Sequence, residues 1–499
     1  MIKQINDKII YFLFFFIATV FCLITVLAPL GTWIPIILLV PFILIASKPL
    51  RFKLNNNKPL KAGIIFLALI FISTFFLNSH EIRFQKLLQF TLLSLSGFLL
   101  IARAKSFQNI SAIVFLFSIS LIISGLIIIL DFQFKIGFKL WLSSNLDFNN
   151  FENFYTLKNW IGIQDFRNSN AEIIGKYLNN TYDRGVTGLA VLALPLAALC
   201  YKYNHKCLCF SVLLVSFTAT TFFYNLTIFI SYIIVLVLAL ILFLTKKTFK
   251  NIILIVLGAY FLLAPFLVGF LDYKKFDFYI NDNFRKIMFL NYKYMMLTSK
   301  CSDTVIIESA RQYYSSNCNE DITLSLNYFS KAEKKFTYLI DVIIKEKLIF
   351  ERKLIHRLII WSYAKEKILE KPLLGHGAFS AKFVGEDHKI IDPNNNKEIS
   401  VIPLHPHNNL VQLWLELGLL GVIAFYYFIY CIISRLESYD GKKFYLSVMP
   451  IISFIQVFYI GQLSYGFWQS WWIAIIIINF MLYSILLGNT VVIRKPLLD

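Results

Sequence analysis

Apolar runs of about twenty residues recur along most of this chain, and nothing else limits its possible folds so tightly. A helix of roughly 20 apolar residues spans the hydrocarbon core of a bilayer, where every backbone polar group must be bonded within the protein. Windows of about 19 residues mark spans near 8–28, 32–47, 62–78, 87–102, 109–130, 185–201, 207–222, 226–245, 251–271, 408–434, 444–463 and 469–489. Composition agrees: 58% of residues are hydrophobic and 15% charged, against about 25% charged in a soluble domain. The expected fold is all-α, a polytopic membrane protein of about 12 transmembrane helices.

The net charge of +19 resembles a nucleic-acid signature until it is placed on the chain. Numbering the connections alternately gives one side the N-terminus, the loops near 48–61, 103–107, 202–206, 246–250 and 435–443, and the C-terminus. Those segments carry 19 Lys and Arg, among them Lys48, Arg51, Lys53, Lys58, Lys61, Lys246, Lys247, Lys442 and Lys443, against four acids. The opposite short loops carry only Arg83 and Lys86. The positive-inside rule then puts both termini in the cytoplasm and assigns most of the basicity to that face. No nucleic-acid partner is expected.

Two connections on the far side are long, at about 131–184 and about 272–407. Long loops are uncommon without a role, so function is sought there. The organisation expected is helices 1–9 over 1–271, a large helical periplasmic loop over 272–407 between helices 9 and 10, and helices 10–12 over 408–499. The first apolar run is long and lacks a small-residue cleavage site, so it reads as a signal anchor. Of seven cysteines, Cys301 and Cys318 lie in the large loop; in an oxidising compartment they could pair, or remain two thiols.

Within that loop a helical pattern runs over about 350–370, with Leu354, Leu358, Trp361 and Ile368 at helical spacing, and stops at Lys371-Pro372. Gly375-His376-Gly377 follows as a turn, then a polar stretch with Pro393-Asn394-Asn395-Asn396. The chain returns to the membrane through His405-Pro406-His407-Asn408-Asn409. Gly418 and Gly421 lie eleven and fourteen residues after His407. Eleven residues is about three helical turns, so an unbroken helix sets Gly418 beneath the imidazole. A groove without side chains there admits a neighbouring helix or a lipid tail. Glu416 falls inside the span, where an ionisable group is costly. At nine residues from His407 it points to the opposite helix face, and pairing with another helix is expected.

His407-Asn408-(nine residues)-Gly418-x-x-Gly421 resembles the signature of the O-antigen ligase family, departing at its last position, Ala424. Arg357-x-x-x-Trp361 followed by Pro372-Leu373-Leu374-Gly375-His376-Gly377 is similar to the segment preceding that signature, and Asp183-Arg184-Gly185 resembles an Asn-Arg-Gly element of some members. Many members also carry an Arg between the seventh and eighth spans, where this chain reads Thr221-Phe222-Phe223-Tyr224-Asn225-Leu226.

The resemblance implies a GT-C-like glycosyltransferase of the inner membrane. It would move a glycan from undecaprenyl pyrophosphate to a sugar hydroxyl of lipid A–core at the periplasmic face, without cofactor or metal. On that expectation His407 is the base for the acceptor hydroxyl. Arg184 and Arg357 hold the charge building on the pyrophosphate, and Asn408, Gly418, Gly421 and His405 line the substrate. The bland alternatives are an interfacial anchor for Arg184, a buried partner for Arg357, and mere exposure for His376 and His405. A metal site of His405, His407, His376 and Asp387 is conceivable but matches no tight motif. Wzy-type polymerases and protein O-oligosaccharyltransferases are neighbouring readings. A transporter or flippase is the non-enzymatic one, though such proteins are often pseudo-symmetric halves, unlike nine spans followed by three.

Overall fold

The computed structural model describes residues 2–39, 41, 58–76, 81–104, 110–134, 171–223, 225–245, 250–268, 357–386, 388–391, 398–434, 436, 446 and 448–488. Cys301, Cys318, Asp387, the Pro393–Asn396 stretch, most of the two long loops and most of the lysine-bearing loops lie outside them. The described elements are α1 (Ile2–Leu27), α2 (Ile34–Leu38), α3 (Lys58–Phe76), α4 (Glu81–Ala104), α5 (Ile110–Phe134), α6 (Ala171–Lys202), α7 (Lys206–Phe222), α8 (Leu226–Thr245) and α9 (Lys250–Val268). After these come α10 (357–370), α11 (Ala381–Glu386), β1 (Lys389–Ile391), β2 (Glu398–Ser400), α12 (Asn409–Ile433), α13 (Met449–Leu463) and α14 (Ser470–Gly488).

Among the described residues eight helices are long and apolar enough to cross a membrane, and four shorter apolar helices occupy Phe14–Leu27, Pro29–Leu38, Lys206–Phe222 and Met449–Leu463. Each coincides with an expected span. The protein is an all-α polytopic membrane protein, with one addition the hydropathy pattern did not carry. β1 and β2 pair antiparallel, Ile390 opposite Ile399, in the polar stretch ahead of the tenth span.

Backbone contacts divide the chain into two units. One comprises Met1–Ala264, Ile368–Val384 and Leu404–Asp499, the other Pro265–Lys367 and Gly385–Pro403. In the first, α6 is the central post: α1, α5, α7, α13 and α14 all pack on it. Its apolar window is 89% buried, whereas those of α8 and α9 are 28% buried and leave Leu236, Phe243, Ile255 and Val256 outward. Large side chains facing out of a bundle suit lipid. The post can be surrounded because it is rich in small residues. A Cβ on Gly188 would strike Thr25 of α1 and Ile475 of α14. Polar ties fix the neighbours, Asn479 Nδ2 donating to Val191 O at 2.8 Å and to Ser453 Oγ at 3.1 Å.

In the second unit Tyr363 of α10 stacks on the His388 ring at 5.8 Å between centroids. Gly385 abuts Ile402, whose Cβ lies 2.6 Å from where a Cβ on the glycine would sit.

Candidate functional site

The site begins with a broken helix. Gly418 has φ +59° and ψ −163°, in the middle of α12, a conformation that favours glycine. The break strips helical partners from Leu415, Glu416, Leu419 and Leu420, and the chain just after α10 supplies replacements. Leu419 N donates to Pro372 O at 2.9 Å and Leu420 N to Leu373 O at 3.2 Å; His376 N donates to Leu415 O and Gly377 N to Glu416 O, both at 2.9 Å. Backbone groups inside a membrane need such partners. A Cβ on Gly418 would lie 2.5 Å from the Leu373 carbonyl carbon and oxygen. Gly375, at φ +70°, is pressed the same way onto the Glu416 backbone.

Of the two occupants expected for the groove at Gly418, a neighbouring element or a lipid tail, neighbouring chain is found there. The surface of Gly418 is occupied by the 372–377 backbone, and Gly421 is covered by the Leu417 side chain one turn back. The helical phase linking His407 to Gly418 fails, because α12 starts only at Asn409 and is interrupted at Gly418.

Two amides of the 378–381 turn, those of Phe379 and Ala381, converge on Glu416. Its fully buried carboxylate accepts from Phe379 N at 2.6 Å, Ala381 N at 3.1 Å, Gln412 Nε2 at 3.0 Å and Trp468 Nε1. Gln412 Oε1 accepts in turn from Phe467 N at 2.8 Å. Among the described residues the expected pairing with another membrane helix is replaced, outside α12, by bonds to this turn and to a loop. Glu416 gathers this turn, its own helix and the loop between α13 and α14.

That loop faces the histidines that precede α12. His407, at φ +54°, sits two residues before α12 and is half-buried, its Nδ1 3.1 Å from the carbonyl oxygen of Ser464. A carbonyl only accepts, so Nδ1 bears the proton and Nε2 is the basic nitrogen of the neutral ring. The His407 amide donates to Nδ1 of His405 at 3.1 Å, and the two rings lie 4.4 Å apart. Buried His405 is packed against Gly466, and its Nε2 is 3.1 Å from the Gln469 carboxamide. Asn408 is the N-cap of α12, its Oδ1 accepting from Leu410 N at 3.0 Å and Val411 N at 2.9 Å, which gives it a structural task whatever else it does.

The same loop reaches Arg184. Tyr465, adjacent to Ser464, donates to Asp183 Oδ2 at 3.0 Å and lies 2.7 Å from Thr187 Oγ1. Asp183 also accepts from Asn225 Nδ2, in the hairpin after α7 where the resemblance had pointed to an arginine. Burial, with the Asp183 charge beside it, pushes the Tyr465 phenol well above its ordinary range. Arg184, half-buried, feels both Tyr465 and Asp183. Its helix turn and His407 therefore share one short loop. Arg357, half-buried at the start of α10, belongs to the second unit, and His376 is half-buried in the turn packed on α12. Among the described residues no cluster of three His, Cys, Asp or Glu could hold a metal.

Sequence reasoning missed Ser464, Tyr465, Trp468 and Gln469. Their common signal is position: they fill the short loop between α13 and α14.

Residues 211–426 match the family model described as O-antigen ligase. A protein of Rickettsia conorii named "Putative polysaccharide ligase" is 41% identical over 120 residues, 24% of this chain and 28% of the relative. Its counterpart in Rickettsia typhi is 39% identical over 119 residues, 24% of this chain and 29% of its own. One in Rickettsia bellii is 38% identical over 141 residues, 28% and 34%. The chain thus spans about a third or less of the length of these curated relatives. No solved structure matches. Family model and relatives together support an O-antigen ligase family.

Proposed function

We propose, starting from the O-antigen ligase domain that residues 211–426 match, that this protein is a GT-C-like ligase. It transfers a polysaccharide from undecaprenyl pyrophosphate to a sugar hydroxyl of lipid A–core. The single observation that carries the reading is the loop at 464–469, which holds the Nδ1 of His407 through the Ser464 carbonyl and the turn of Arg184 through Tyr465 and Asp183. A base with its proton fixed on one nitrogen thereby shares a loop with a guanidinium suited to pyrophosphate.

The reaction follows from these parts. The acceptor oxygen attacks the anomeric carbon of the donor sugar while His407 Nε2 takes its proton. The bond from that carbon to the pyrophosphate oxygen breaks, and the electron pair leaves with undecaprenyl pyrophosphate. Arg184 holds the charge that builds on the leaving group, a kind of stabilisation that is often the largest catalytic contribution. Arg357 is enlisted for the same task on the sequence resemblance alone. The arginines neutralise the pyrophosphate without a metal. The asymmetry of Lys and Arg between alternate loops supports cytoplasmic termini, an inner-membrane location and a periplasmic site.

The test is a strain lacking the chromosomal gene, complemented with His407→Ala or Arg184→Ala. Both proteins should insert normally, lipid A should lack long-chain polymer, and lipid-linked polymer should accumulate. Normal polymer ladders from both variants overturn the site; lipid A capped with a single unit means a polymerase instead.

A further inference from the structure

We infer that Glu416 is a positioning residue for the His407 base, acting through the loop at 464–469; the inference rests on the ligase reading above. Glu416 is fully buried and receives four N–H donors, from Phe379, Ala381, Gln412 and Trp468. Only an acceptor can sit at that point, since a side-chain amide would turn N–H against N–H. One of the four donors, Trp468, belongs to the loop, and Gln412, bound to the same carboxylate, accepts from the amide of its neighbour Phe467. Glu416 therefore holds the middle of a loop whose two ends hold the histidines: Ser464 O faces His407 Nδ1, and Gln469 faces His405. Moving the middle moves the Ser464 carbonyl, and with it the acceptor that fixes the His407 tautomer. Outer partners of this kind raise imidazole basicity as well as orient the ring.

The experiment compares Glu416→Gln, Trp468→Phe and the double variant in full-length protein reconstituted in lipid, with lipid-linked polymer and lipid A–core supplied. The expected result is a kcat per folded molecule lowered roughly 10–100-fold while the KM for donor stays within about twofold. The acid limb of the kcat–pH profile should move to lower pH, since an imidazole without its carbonyl partner is less basic. His405 is the titratable group whose ring contacts His407, so the same profile in His405→Gln assigns the limb. The double variant should be no worse than Glu416→Gln alone, because both break one path. A Glu416→Gln enzyme with reduced yield but unchanged kcat and unchanged acid limb overturns the inference. Should Glu416→Gln fail to fold, Trp468→Phe, which removes a single donor, decides on the same two readouts. His407→Ala separates the failures. Full activity in that variant sinks the ligase reading of His407. A dead His407→Ala beside a Glu416→Gln enzyme of normal kcat sinks only the positioning role.

Discussion

The Tyr465 hydroxyl donates to Asp183 Oδ2 at 3.0 Å, and Asp183 directly precedes Arg184. The carboxylate beside the guanidinium is thus already engaged, by Tyr465 and by Asn225 Nδ2. An arginine whose neighbouring acid is held elsewhere keeps donors for an incoming phosphate.

Tyr465→Phe removes that hold. A hydrogen bond to a charged acceptor contributes about 1.5–3 kcal/mol, so thermal stability should fall by a comparable amount. Donor KM should rise more than kcat falls, because the freed carboxylate competes for Arg184. Steady-state kinetics and melting in lipid check both.

Alkaline pH offers a second handle on the same residue. Burial and the Asp183 charge raise the folded-state pKa of Tyr465 above its ordinary value. The stabilisation from the protonated phenol is then complete below the unfolded value of about 10 and is lost as pH rises beyond it toward the folded pKa. Melting temperature followed from about pH 8 to about pH 11 should drop at the alkaline end in the native protein and less in Tyr465→Phe; parallel curves would contradict the assignment.

Gly418→Ala strikes the helix break. The new Cβ would lie 2.5 Å from the Leu373 carbonyl, at a φ of +59°, combining overpacking of about 1–3 kcal/mol with left-handed strain of about 1–3 kcal/mol. A large loss of thermal stability is expected, and Gly375→Ala should behave alike, since the two glycines face one contact between backbones. If Gly418→Ala melts like the native protein while losing only activity, the glycine serves substrate rather than packing.

Asn408 sorts by chemistry. As a cap it should tolerate Asp or Ser, whereas Ala should cost about 1 kcal/mol with modest effect on turnover. If Asn408→Asp keeps stability but abolishes transfer, the carboxamide is needed by substrate.

How much of this was legible follows from what each feature depends on. The spans were readable because hydropathy is a property of each segment alone. The spacing of His407, Gly418 and Gly421 marks α12, and the Pro372–Gly377 stretch is a motif of its own in the sequence. That the two exchange backbone hydrogen bonds is a tertiary fact, and the break it imposes at Gly418 undid a phase computed for an unbroken helix. Glu416 stood out as a charge in a span. Of its four donors only Gln412, four residues earlier on the same helix, is implied by spacing; two others are backbone amides and one is Trp468, a single aromatic in a chain that is 17% aromatic.

His407 itself permits a separation of fold from function. Its φ of +54° costs a non-glycine residue about 1–3 kcal/mol, and glycine adopts that conformation without penalty. Against this, glycine loses the Nδ1 bond to Ser464, about 0.5–1.5 kcal/mol, and gains entropy in the unfolded chain. The opposing contributions nearly cancel. His407→Gly should therefore melt within about 1 kcal/mol of the native protein. Its rate should fall by about 10²–10⁴-fold, the usual worth of a general base. His407→Ala, which keeps the strained backbone and loses the bond, should be as inactive but less stable than His407→Gly. The two melting curves and one turnover measurement decide this. If both variants melt well below the native protein yet keep its rate, the imidazole is chiefly a structural strut and the base must be sought elsewhere.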